Sequence, residues 1–171
     1  PQNQEAVARV AALVELVKDT IRCVRRISSE LRPSILDDLG LGAAIEWLAH
    51  DVESRTQMKC TVEVPEDLSL PFELATPLFR ICQEALTNVT RHAQATQVGI
   101  HLESQDGHVL LVVRDNGRGI TEEEIQGHGS LGLLGMKERV GLLGGTLELK
   151  GRPGEGTTLA IRMPIEAGRA S

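Results

Sequence analysis

The sequence predicts an α+β fold, because its helical and strand-like segments do not alternate as parallel βαβ units would. Two further observations support that class. The triplet Gln105-Asp106-Gly107 is a hairpin signal between two strand-like runs. Twelve of the 17 glycines fall between Gly117 and Gly156, where the composition shifts toward loops and short elements. With 41% apolar and 25% charged residues, the 171-residue chain can bury a core, which excludes disorder for most of it. Aromatic residues make up only 2% and the net charge is −6, so neither base stacking nor a phosphate-backbone grip is supported, and no direct nucleic-acid partner is expected. No apolar run approaches the ~20 residues that cross a bilayer, and no signal peptide is recognisable. The opening Pro1-Gln2-Asn3-Gln4 reads as a cut inside a longer protein. Cys23, Cys60 and Cys82 form no CxxC pair, which fits reduced thiols in a cytoplasmic protein.

Taken in order, residues 5 to 31 read as one long helix without Gly or Pro. Val7, Val10, Val14, Val17, Ile21, Val24 and Leu31 recur at spacings that form a heptad seam, interrupted at Ser28. Ala6, Leu13 and Ile27 widen it into a bundle-like stripe that wants partner helices. Arg32-Pro33 ends this helix, and an acidic joint at Asp37-Asp38 leads to a second helix over about 41 to 56. Lys59 to Val64 alternates like a strand. A third helix reaches about Ala93, starting either at Pro71 or at Thr76-Pro77; the first start predicts a kink at Pro77. Strands follow at Gln97–Glu103 and His108–Arg114, then a helix over about 131 to 143, then strands near 146–151 and 157–163. The residues after Pro164 read as a tail.

Three segments could carry chemistry. On the third helix Glu84, Asn88 and the pair Arg91-His92 share one stripe. Asn88 offers a neutral hard oxygen suited to Mg²⁺, Glu84 a proton acceptor, and Arg91 or His92 a partner for phosphate oxygens. A solvated helix face explains the same stripe. Asp115-Asn116-Gly117-Arg118-Gly119 closes an apolar strand, so its carboxylate could accept from an exocyclic amine in an apolar pocket, although Asp-Asn-Gly is equally a turn. Gly127-His128-Gly129-Ser130-Leu131-Gly132 matches GxGxxG in letters but follows the acidic run 122–124 rather than a strand. The dinucleotide reading therefore fails, and a flexible lid remains. That acidic run itself reads as solvated surface. No P-loop, GxSxG elbow or metal-ligand spacing of His and Cys is present.

These segments together resemble the catalytic end of two-component sensor histidine kinases, within the ATPase superfamily shared by gyrase, the Hsp90 chaperones, histidine kinases and MutL. Ile81 to His92 is similar to the family's asparagine box, Asp115 to Ile120 to its first glycine box, Gly129 to Arg139 to its second, and Gly154 to Thr158 to its closing strand motif. The resemblance covers residues 40 to 164. Glu30-Leu31-Arg32-Pro33 and Leu36 to Leu41 are similar to the subfamily that pairs with helix-turn-helix response regulators.

The resemblance implies a two-layer α/β sandwich of the Bergerat type, with a mixed, mostly antiparallel sheet behind the long N-terminal helix. It divides the chain into 1–33, the second helix of a truncated dimerisation and phosphotransfer hairpin, 34–166, the ATP-binding catalytic domain, and a tail, 167–171. It implies ATP and Mg²⁺ as cofactors, with Asn88 on the metal and Glu84 at the phosphoryl-transfer step. Arg91 and His92 would approach the phosphates, while Asp115, helped through water by Thr157, would read the adenine amine. Gly117, Gly119, Gly129 and Gly132 would let the lid close. The implied partners are a cognate response regulator and, in the full-length protein, a second copy; a membrane anchor elsewhere is compatible. The phosphoacceptor histidine would lie before Pro1, and His50-Asp51, beyond Arg32-Pro33, imitates the acceptor motif only superficially. Two other readings compete. An anti-sigma-factor serine kinase shares two of the boxes but not the heptad helix ending in Leu31-Arg32-Pro33, and a non-catalytic interaction module would not need Glu84, Asn88 and Asp115.

Overall fold

The computed structural model describes residues 34–126 and 131–165. The expected helix over 5–31, Gly129 and the expected tail 167–171 lie outside the described residues. The chain divides into two compact units, Pro1–Asp38 and Leu39–Ser171. In the first, the described residues 34–38 are helical.

Helix α1 (Ser34–Thr56) is helical on both sides of Gly40, which breaks it with φ 82° and ψ 179°. The joint expected at Asp37-Asp38 is therefore displaced: both aspartates are helical, and the break sits at the residue without a Cβ, which takes positive φ at little cost. Beyond the break, Leu41, Ala44, Ile45, Leu48 and Val52 turn one buried stripe inward, as their spacing predicts. Strand β1 (Lys59–Glu63) follows. Helix α2 (Phe72–Asn88) starts just after Pro71 and runs unbroken through Pro77, so the alternative start at Thr76-Pro77 is excluded. It continues as a single π-helical turn, Val89–Ala93.

Strands β2 (Gln97–Gln105) and β3 (His108–Asp115) form the expected hairpin, with Asp106 and Gly107 both at positive φ (52° and 72°), as a two-residue hairpin turn requires. A short helix α3 (Glu122–Gln126), helix α4 (Leu131–Leu142) and the hairpin of β4 (Thr146–Arg152) and β5 (Gly156–Pro164) complete the described residues. The sheet order is β1-β2-β3-β5-β4, with β1 parallel to β2 and every other pairing antiparallel.

Period-two alternation sorts the sheet into two faces. Leu102, Leu111, Ile161 and Leu147 stand in one cross-strand row, and Ile100, Val113, Leu159 and Leu149 in the next, all on the core face. Helix α2 covers that face with Leu74, Leu78, Phe79, Ile81, Cys82 and Leu86, and α4 adds Leu133, Met136 and Val140 at helical spacing. Full burial of each such side chain contributes about 1.5–3 kcal/mol. The result is the expected two-layer α+β sandwich. Burial pushes the pKa of the Cys82 thiol up to about 12, and burial followed by the nearby Glu53 raises that of Cys60, which favours the protonated thiols; neither forms a disulfide among the described residues.

Candidate functional site

The site is built where β3 ends against the end of α2. Continuing the alternation of Val109, Leu111 and Val113 brings Asp115 to the core face, where it is 5% exposed and the one buried charged residue among the described residues. Such a carboxylate needs hydrogen bonds to offset lost hydration. The Gly117 amide donates to its Oδ1 at 2.7 Å. The Asp-Asn-Gly segment is thus both a turn and the position of a buried carboxylate. Asn116 secures the segment from the other side: its Oδ1 accepts from the amides of Thr96 (3.0 Å) and Gln97 (2.9 Å), and its Nδ2 donates to Thr96 Oγ1 (2.9 Å).

The two spaced glycines have distinct reasons. A Cβ on Gly117 would collide with the carbonyl of Ala93, and one on Gly119, at φ +78°, with the carbonyl of Arg152. Between them the Arg118 amide donates to Ala93 O at 2.7 Å, its Nε to His92 O at 2.8 Å, and its carbonyl accepts from Gly154 at 2.8 Å. The loop is clamped to the π turn on one side and to the β4–β5 turn on the other.

In front of Asp115 lies a cavity of about 320 Å³, at the lower end of the roughly 300–1,000 Å³ typical of small-ligand sites. Val113, Leu133, Met136, Leu149 and Leu159 give it apolar walls, while Asn88, His92, Asp115, Arg118, Glu124 and Thr157 supply polar groups. The stripe read from α2 divides in the structure. Asn88 and His92 line the cavity, but Arg91 is exposed and does not. The π turn explains the split, because its wider coil keeps positions four apart nearly in line and rotates the position three apart away. Glu84, one turn earlier and half-buried, is also outside the lining; its carboxylate abuts Gly132, where any Cβ would strike Oε1.

The acidic run is exposed at Glu123 and Glu124, as expected of solvated surface, but sequence reasoning missed that Glu124 also lines the cavity, where Arg118 grips it from NH2 at 2.8 Å and NH1 at 3.3 Å. It also accepts from the Thr121 amide (3.0 Å), while Thr121 Oγ1 accepts from its own amide (3.2 Å). That reciprocal pair is a capping box, and Thr121-x-x-Glu124 was its readable signal. The Arg118 guanidinium, then the Thr121 amide, hold the Glu124 carboxyl below the usual carboxylate range.

Residues 73–167 match the family of histidine kinase-, DNA gyrase B- and HSP90-like ATPases. The chain belongs to that ATPase family. It is 37% identical over 162 residues to the signal transduction histidine-protein kinase/phosphatase DegS of Brevibacillus brevis, covering 94% of this chain and 42% of DegS. Against the sensor histidine kinase MctS of Rhizobium johnstonii it is 38% identical over 159 residues, 91% of this chain and 34% of MctS. The chain therefore spans less than half the length of these curated relatives. Among solved structures, the histidine kinase domain of the Erythrobacter litoralis EL346 blue-light activated histidine kinase superposes with a TM-score of 0.65 at 27% identity, covering 74% of this chain and 61% of that one.

The cavity of this ATPase-family domain fits an adenine nucleotide on its own chemistry. A flat base suits apolar walls, a buried carboxylate with one oxygen outside the turn can accept from an amine, and Asn88 supplies a neutral oxygen at the polar end. No described helix is long and apolar enough to cross a membrane.

Proposed function

We propose that this chain is the ATP-binding catalytic part of a sensor histidine kinase, transferring the γ-phosphoryl group of Mg-ATP to a histidine outside residues 1–171, for relay to a response regulator with a helix-turn-helix output. The observation that carries the proposal is Asp115: a carboxylate 5% exposed at the floor of an apolar cavity, with Oδ1 committed to the Gly117 amide. Its other oxygen accepts from the adenine amine, and Thr157, also lining the cavity, assists through water. His92 faces the phosphates from the cavity wall, and exposed Arg91 reaches them from outside it. Asn88 holds Mg²⁺, which neutralises phosphate charge when bound. Glu84 orients or deprotonates the incoming group, and a side chain at Gly132 would displace its carboxylate. Catalysis of this kind is positioning plus charge neutralisation. Gly117 and Gly119 let the backbone approach, and Gly129 and Gly132 belong to the closing segment.

In this reading residues 1–33 are the second helix of a dimerisation hairpin that pairs with a second copy in the full-length protein, 34–166 the catalytic domain and 167–171 a tail; the domain works in the cytoplasm. His50-Asp51, on the catalytic side of Arg32-Pro33, is not the acceptor pair in this reading; Asp51 pairs with Arg55 at 3.3 Å. Titration calorimetry with ADP, with and without Mg²⁺, tests the proposal on the parent and on Asp115→Asn. Magnesium-dependent binding weakened about 30- to 100-fold in the variant is expected, since a donor amide would replace an acceptor worth about 2–3 kcal/mol. Equal affinity in the two proteins would remove Asp115 from the site.

A further inference from the structure

The sheet has a second face, and its side chains are not random in charge. On that face the cross-strand row Thr61, Gly99, Arg114, Thr158, Lys150 runs over all five strands, with Lys59 and Gln97 paired beside it. Gly99 brings no side chain to the second strand of the row, between Thr61 and Arg114, and the gap opens a depression of about 250 Å³ lined by Lys59, Thr61, Gln97, Val98, Gly99 and the end of β3 from Arg114 through Asp115 to Asn116. We propose that this depression is a binding site for a phosphate-type oxyanion, gripped by Lys59 and Arg114 over the bare backbone of Gly99.

Charge bookkeeping on the face supports the assignment. In a chain of net charge −6, carboxylates are plentiful, yet those on this face are taken elsewhere. Glu63 and Glu103 flank His101 at 3.2 and 3.3 Å, and Glu148 pairs with Lys150 at 2.6 Å. Lys59 and Arg114 form no ion pair among the described residues. Lys59 and Arg114 thus stand at one depression without a carboxylate partner, because Asp115, which also touches it, keeps its carboxylate buried and bonded to the Gly117 amide. The donors also match the ligand. A guanidinium fork, an ammonium and the side-chain amide of Gln97 offer hydrogen bonds to a tetrahedral dianion from several directions. Two cations and no aromatic ring make the site too small for a nucleic-acid strand.

This site lies on the opposite face of the sheet from the nucleotide cavity, shares only Asp115 with its lining, and does not rest on the nucleotide reading. Arg114 and Asp115 are successive residues of β3 and point to opposite faces, so the same strand end presents a cation behind the sheet and a carboxylate in front.

The test is amide-resolved NMR of the 171-residue protein titrated with sodium phosphate, against sodium chloride at matched ionic strength, in parent, Lys59→Gln/Arg114→Gln and Gly99→Val. The expected result is saturable shifts at Lys59, Thr61, Gly99 and Arg114 in the parent. The charge variant should bind about tenfold or more weakly. Gly99→Val should also lose binding while keeping both charges, because its side chain fills the depression. All three positions lie on the open face, and the unchanged dispersion of core amides checks folding. Shifts that fail to saturate, that survive in both variants, or that appear only at Asn88, His92 and Arg118 would overturn the proposal.

Discussion

The two halves of the cavity rim are held by different physics. On one half, the end of α2, the π turn and residues 115–119 are joined by backbone hydrogen bonds, by the Asn116 amide and by glycines that allow backbone contact. On the other half, α3 is five residues long and is tied down by a capping box and by the Arg118–Glu124 pair, whose side chains are 45% and 39% exposed. Apart from the bond from Gly117 to the Asp115 carboxylate, those of the first kind join uncharged groups and respond little to salt or pH. Exposed ion pairs are weak and screened. The carboxylate that would read a ligand therefore sits on the firm half, and Glu124 on the half that yields.

Substitutions should separate the halves. The largest effect is expected from Gly117→Ala, which drives a methyl into the Ala93 carbonyl and breaks the clamp beneath Asp115; a loss of about 2–4 kcal/mol in urea unfolding is expected. Asn116→Ala removes three side-chain hydrogen bonds from an exposed position, and about 1–2 kcal/mol should follow in the same assay. Glu124→Gln should leave the melting temperature unchanged, yet speed amide exchange across 122–126. If it instead destabilises the whole domain, the contrast between the halves is wrong.

The smallest effects are those of pH. Because Glu124 is held below its ordinary range, its pairing is complete above that range and is lost as pH falls through the lowered value. Exchange protection of α3 should fall in acid before that of β3. His101 behaves oppositely. Its hydrogen bond to Glu103, then that to Glu63, raise its proton affinity, so its contribution is complete below the ordinary imidazole range and fades as pH rises through the raised value. Exchange at the β1 edge should accordingly quicken on the alkaline side.

The firm half was also the legible half. The apolar run from Val109 to Val113 marked the strand, and the hairpin turn at Asp106-Gly107 set its register with β2, but five apolar residues in a row did not mark the face on which Asp115 emerges. The α2 stripe was readable as a helix, but nothing in Val89-Thr90-Arg91-His92-Ala93 announces a π turn, so the separation of Arg91 from His92 had no signature. Gly40 was overlooked because neighbouring aspartates are commoner loop formers. Glu124 was hidden in a run of three glutamates whose bulk composition describes a solvated face, whereas the capping pattern with Thr121 singles out one of them. Patterns repeated over a whole element are strong; those resting on one residue pair are weak.

The parallel pairing of β1 has a consequence for the growing chain. Lys59 finds its partner at Gln97, 38 positions later, whereas β2 and β3 meet across a two-residue turn. Hairpins close within about 1–10 μs, while synthesis adds about 5–20 residues each second. During translation β1 is therefore exposed for seconds before its neighbour exists, and it is accommodated after helix α2 has been made. A waiting strand edge invites pairing with another nascent chain. The charges of Lys59 and Glu63 at its two ends give that strand its protection in the interval.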